Sequence, residues 1–152
     1  MKYLQYISAT CIFLFMISNL SGQTAIGARG LFGVEGNSYG GAELSIQKPG
    51  RSEFDFGRAN DSWKLTGLKL VNLTRGRDYA IYGGVGGGLG YSQRYDEFFG
   101  TFALDLGTYL LIGPFQIGLD WRPEWNVFNY PGRDVSFNVA LSGRFLFGKR
   151  KL

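Results

Sequence analysis

From Ile26 onward, apolar and polar side chains alternate in stretches of about ten residues, each closed by a short turn. Phe115, Ile117, Leu119 and Trp121 alternate with Gln116, Gly118, Asp120 and Arg122. Phe137, Val139, Leu141 and Phe145 alternate with Asn138, Ala140, Ser142 and Arg144. A period of two is the period of a β-strand, and two faces of opposite polarity mark a sheet between two different media. The pattern predicts eight strands: Ile26 to Gly36, Gly41 to Gln47, Arg51 to Arg58, Ser62 to Leu73, Tyr79 to Tyr91, Phe99 to Leu111, Phe115 to about Trp125, and Val135 to Phe147. The fourth breaks parity, because Trp63 and Leu65 share one face while Leu68 and Leu70 share the other. A β-bulge near Gly67 would reconcile the two halves.

The connections are short and rich in turn formers, such as Lys48-Pro49-Gly50, Gly113-Pro114 and Asn129-Tyr130-Pro131-Gly132. Eight strands in sequence order with tight connections make a meander, and an even number returns the chain to the side where it began. The predicted fold is therefore all-β, an eight-stranded antiparallel up-and-down β-barrel. Alternation by itself leaves the inside and outside interchangeable. Three features favour an apolar face turned to lipid and hence a transmembrane barrel. Strand five carries Gly84, Gly86, Gly88 and Gly90 on its polar face, a file that weakens a solvated strand but makes room inside a narrow barrel for neighbours such as Tyr109 and the arginines. Several strands reach the length of about ten residues that a tilted membrane strand needs. Trp63, Tyr79, Tyr91, Phe115, Trp125 and Phe147 fall near strand ends, as interfacial aromatics do.

The N-terminus changes the picture from any barrel to an exported one. Lys2 precedes an apolar run from Ile7 to Leu20, and Ser21-Gly22-Gln23 supplies small residues at a cleavage position. Residues 1–23 are expected to be a cleaved secretory signal peptide and residues 24–152 the barrel domain. The run is short for a membrane-anchoring helix, which needs about 20 residues. Cys11, the sole cysteine, lies inside this signal near the start of the run, where it is not positioned for lipidation. The mature chain would contain neither cysteine nor histidine, which removes thiolate chemistry, the commonest general base and the commonest metal ligand. Without Lys2 it keeps 15 basic against 12 acidic residues, and only Lys149-Arg150-Lys151 clusters. Nothing resembles a nucleic-acid surface of basic residues interleaved with aromatics.

With the apolar face outside, the polar face becomes a lumen. By parity it holds Arg29, Glu35, Glu43, Glu53, Asp55, Asp105, Asp120, Arg122, Glu124 and Arg144. An eight-stranded barrel is just wide enough for side chains to fill, and buried charges must be paired. An ion-pair network is expected there, with Lys64 or Lys69 supplying further positive charge against the excess of acids. Asp120 and Glu124, aimed inward on either side of Arg122, are the best candidates for a catalytic acid pair, although a structural network uses the same residues. The G-x-G-x-x-G-like spacing in GGVGGGLG lacks the following helix that a phosphate loop requires. Asp96 and Glu97 are too few ligands for Ca²⁺.

The segments YGGAELSIQ, EFDFGR, GGVGGGLGY, GPFQIGLDWRPEWNVF and FNVALSGRFLF together resemble a family of small outer-membrane β-barrel proteins from Bacteroidota, Gram-negative bacteria. The most specific part is the block Ile117, Leu119, Asp120, Trp121, Arg122, Pro123 and Glu124, followed by the glycines from Gly83 to Gly90. The resemblance implies an eight-stranded barrel and carries over no catalytic residues. Such barrels commonly end on an aromatic that the insertion machinery reads, whereas here Gly148-Lys149-Arg150-Lys151-Leu152 follows Phe147. The expectation is a non-enzymatic barrel without cofactor, resident in the outer membrane with both termini periplasmic. Its partners would be outer-membrane lipid, the insertion machinery during biogenesis and other envelope proteins, with no nucleic acid among them. Two alternatives stand beside it: a narrow channel for small solutes or ions, and a soluble exported β-barrel with an apolar ligand pocket. The second requires Phe32, Leu44 and Leu119 to be buried.

Overall fold

A computed structural model describes residues 23–33, 40–48, 52–59, 61–128 and 134–148. It is an all-β closed barrel of eight antiparallel strands in sequence order: β1 (Thr24–Gly33), β2 (Gly41–Lys48), β3 (Ser52–Ala59), β4 (Ser62–Arg75), β5 (Tyr79–Ser92), β6 (Glu97–Ile112), β7 (Phe115–Phe128) and β8 (Val135–Phe147). β1 closes the sheet on β8, with Thr24 opposite Phe147 and Gly33 opposite Asn138. The start of β1 and the end of β8 are therefore side by side at one end, together with the β2–β3, β4–β5 and β6–β7 turns. That end is called the turn end here, and the opposite one the loop end. The predicted signal, apart from Gln23, lies outside the described residues, as do Val34 to Gly36 at the end of the first predicted strand.

β8 coincides with its predicted limits, and the other strands differ mainly in length. β6 begins at Glu97 and β7 reaches Phe128, so residues expected in loops belong to the ladder. The loop expected from Ser92 to Phe98 contracts to a turn, in which Asp96 adopts a φ of 58°. Aspartate tolerates this left-handed conformation better than most residues. Gly113, at φ 61°, does the same for the two-residue β6–β7 turn, which Leu146 covers by donating from its backbone N to the Pro114 carbonyl at 2.8 Å.

β4 corrects the sequence reading. There is no bulge near Gly67, which pairs in register with Phe54 on β3 and Gly87 on β5. The register shifts farther along, between Asn72 and Thr74. The strand keeps one parity through its middle, and Leu68 and Leu70 simply face inward while Trp63 and Leu65 face outward. Inside, the two leucines join Ala80, Tyr82, Ala103 and Tyr109 in an apolar cluster that lines β4, β5 and β6.

The glycine file on β5 makes room for this wall, but for different neighbours from those expected. A Cβ at Gly84 would meet Leu70 Cδ2 at 2.6 Å, and one at Gly90 would enter the Phe99 ring at 2.2 Å. Gly88 lies against the hydroxyls of Thr101 and Thr66. Gly86 permits close backbone approach instead, since its Cβ would stand 1.9 Å from the Gly67 carbonyl oxygen. Tyr109 packs against Tyr82, with ring centroids 6.0 Å apart, and the arginines belong to the opposite wall.

Candidate functional site: the charged interior

The polar lining comes from Arg29 on β1, Glu43, Ser45 and Gln47 on β2, Glu53 and Asp55 on β3, and Gln116, Asp120, Arg122 and Glu124 on β7, all at inward positions of their strands. Arg29 on β1 is 1% exposed and Arg122 on β7 is 1% exposed. Neither guanidinium can lose its charge, so each must be matched by carboxylates. Arg29 forks onto both carboxylate oxygens of Asp120 on β7 and donates from Nη1 to Glu43 on β2 at 2.7 Å. Glu43 is its direct cross-strand partner in the ladder.

Arg122 reaches farther. Its Nη1 donates to Asp55 at 2.7 Å and its Nη2 to Glu53 at 2.7 Å, both on β3. Its Nη2 and Nε also hold Asp105 on β6, at 2.9 and 3.2 Å. β3 and β7 are four positions apart in a ring of eight, so they are opposite walls. One side chain thus crosses the barrel and ties both walls together. Arginine suits this task because its planar fork offers several donors with a fixed geometry.

Glu53 is the second hub. Besides Arg122 it receives Arg144 Nη2 from β8 at 3.1 Å and Gln47 Nε2 from β2 at 2.7 Å. Arg144 also donates to the hydroxyls of Ser45 and Ser142. Gln116 on β7 donates to Gln47 and extends the polar contacts toward the turn end.

Asp120 and Glu124, the candidate acid pair, are drawn into separate ion pairs. Asp120 is held by Arg29, while Glu124 accepts from Lys64 Nζ on β4 at 2.6 and 2.8 Å. Of the two lysines considered for the lumen, Lys64 enters it and Lys69 stands exposed on the outer face. Nine of the ten residues expected in the charged network are buried in this interior; Glu35 lies outside the described residues. Among the described residues the interior brings six carboxylates, Glu43, Glu53, Asp55, Asp105, Asp120 and Glu124, against Arg29, Arg122, Arg144 and Lys64.

Sequence reasoning missed the apolar cluster, the Gln47–Gln116 contact and the assignment of Lys64 to Glu124. Only the inward parity of Gln47, Lys64 and Gln116 gave any signal for the polar contacts.

The outer face is the inverse of the inner one. Phe32 is 60% exposed, Leu44 68% and Leu119 51%, the opposite of what a barrel with an apolar pocket requires. Aromatic pairs gather near both ends of this face. Phe145 packs edge-on against Phe115 and Phe147 at the turn end. Phe56 stacks on Trp63, Tyr91 lies against Phe98 and Phe102 against Trp125 toward the loop end. Comparison with known proteins found no matching family model and no matching curated sequence.

Proposed function

We propose that the protein is a non-enzymatic integral outer-membrane β-barrel with a structural or envelope-interaction role, its interior plugged by a charged side-chain network. The observation that carries this reading is inverted amphipathicity: buried ions inside, exposed leucines, phenylalanines and tryptophans outside. A water-soluble domain rarely exposes a continuous apolar surface of this kind, whereas a barrel in lipid needs one. The aromatic pairs near the two ends match the girdles that sit at headgroup level. A closed barrel also leaves no unpaired strand edge, as a lipid-embedded sheet requires. The resemblance to small Bacteroidota outer-membrane barrels and the expected export signal point the same way, and in this reading both termini are periplasmic.

The plugged interior argues for a structural rather than a conducting or catalytic role. Arg122 spans the lumen, and the candidate acids are all committed to ion pairs. Outer-membrane fractionation followed by gel electrophoresis with and without boiling tests the proposal. The folded barrel should migrate faster than the boiled chain and fractionate with outer-membrane lipid. Recovery in the soluble periplasmic fraction contradicts it. Planar-bilayer recording with folded protein should be silent; discrete steps of conductance would instead establish the channel reading.

A further inference from the structure

The sheet is closed through its middle, but its turn end is uneven. Ser52, the first residue of β3, pairs with Lys69, while β4 continues beside β5 as far as Arg75. At the usual rise per residue β4 therefore runs roughly 20 Å past its last partner on β3. Lys48 and Ser52 pair with each other, so only residues 49–51 connect β2 to β3. A connection that short between paired ends reaches about 7 Å beyond them, or two rows of the ladder. It can accompany Leu70 and Val71 and no more. Asn72 to Arg75 thus have β5 on one side and no strand among the described residues on the other. Alternate residues of such an edge turn their N–H and C=O groups away from the sheet, where an added strand can pair with them.

The side chains along this edge select what fits. Lys69 stands at one end and Arg75 at the other, both exposed, and neither has an ion-pair partner among the described residues. Between them Val71 and Leu73 are exposed, and Leu73 leans over Gly83 on β5. A segment with carboxylates at its ends and apolar residues between them complements this row. A second copy of the chain does not, because antiparallel pairing of two such edges sets Lys69 of one against Arg75 of the other, and like charges brought together oppose association. The register shift between Asn72 and Thr74 and the flanking cations are also features that keep an edge from pairing indiscriminately.

We infer that the β4 edge from Asn72 to Arg75 is a docking site for an extended acidic segment of another protein, which adds beside β4 as a short antiparallel strand. Main-chain hydrogen bonds hold the segment, its carboxylates meet Lys69 and Arg75, and its apolar side chains lie beside Val71 and Leu73. The inference needs the folded barrel and holds whichever compartment the turn end faces; in the membrane reading the partner is periplasmic.

The test uses the full chain folded in zwitterionic detergent, with folding checked by gel migration before and after boiling. The probe is a fluorescent eight-residue peptide with two glutamates at each end and valine alternating with threonine between them. Anisotropy should show saturable binding, and hydrogen exchange should slow at residues 72–75 but not at the β5–β6 turn. Lysine in place of every glutamate should weaken binding about tenfold, and N-methylation of every peptide amide should abolish it. Lys69→Gln and Arg75→Gln should each weaken it about threefold, the worth of an exposed ion pair. Lys69→Arg should keep most of it, and Arg94→Gln at the loop end should leave it unchanged. No saturable binding to the folded chain up to about 1 mM, equal binding of the lysine peptide, or protection confined to other strands overturns the inference. Cross-linked dimers that the peptide fails to disperse would assign the edge to a second copy and overturn it too. A chain that folds without detergent or lipid counts against the membrane reading alone, so the two failures are distinguishable.

Discussion

The barrel's interior has two walls that solve the same packing problem with different chemistry. Around β1 to β3 and β7 the space is filled by long charged side chains, with Arg29 and Arg122 gathering the carboxylates of Glu43, Glu53, Asp55, Asp105 and Asp120. Along β4 to β6 it is filled by Leu68, Leu70, Tyr82 and Tyr109 over a strand stripped to glycine. The ionic wall reaches across and is held by partners on distant strands. The apolar wall is held by shape, each large residue matched to a missing side chain next door. The first should respond to charge and the second to volume, and substitutions can separate them.

The largest effect is expected at Arg122. Arg122→Leu leaves three buried carboxylates without their shared cation, and removal of one partner from a buried ionic cluster costs about 3–5 kcal/mol. Urea unfolding in vesicles should show this loss. Neutralising the acids as well, with Asp55→Asn and Asp105→Asn added, should restore much of it, because the penalty comes from unpaired charge. If the triple variant is no better than the single one, the ionic wall depends on shape after all.

On the other wall, Leu70→Ala should cost about 2–4 kcal/mol through lost burial and the cavity left beside Gly84. The combination of Leu70→Ala with Gly84→Ala should recover part of that loss, since the new methyl enters the vacated space. The same unfolding assay reads both, and additive losses would contradict the fit between the two positions. Gly86→Ala should cost about 1–3 kcal/mol, as overpacking does, because its Cβ would collide with the Gly67 backbone and neither strand can yield without breaking register. At the small end of the scale, Gly143→Ala should change stability by less than about 0.5 kcal/mol, because it faces outward with nothing within 4 Å of the new methyl. A large effect there would mean that glycine matters on these strands for backbone reasons unrelated to space.

The sequence reveals the ionic wall better than the apolar one for a physical reason. On β3, β7 and β8 the inward charges Glu53, Asp55, Asp120, Arg122 and Arg144 fall between outward apolar residues or glycine, so parity alone assigns them. The eight strands and their order follow from the same alternation. β4 breaks it because Leu68 and Leu70 are large apolar residues turned inward, which is permitted only by glycines on the neighbouring strand. That complement lies across the sheet, and a period read along one strand does not contain it. A bulge at Gly67 would repair within one strand a feature that belongs to two. Partner choice in the ionic wall was equally out of reach, since parity brings Lys64 inside without pointing to Glu124 on β7. Strand ends shifted because short polar segments such as those around Ser92 and Glu97 pair across tight turns as readily as they form loops.

The central claim is that the apolar face meets lipid while the charged face is sealed inside. Its most direct test is site-directed spin labelling in vesicles, made simple because a chain cleaved after Gln23 carries no native cysteine. Single cysteines at Leu44 and Leu119 would be labelled and their collision rates with oxygen, which partitions into lipid, compared with those of a water-soluble nickel complex. The account predicts high oxygen and low nickel accessibility at both positions. Nickel accessibility equal to that of a labelled loop-end position such as Tyr95 would show that this face is wet, and would contradict it.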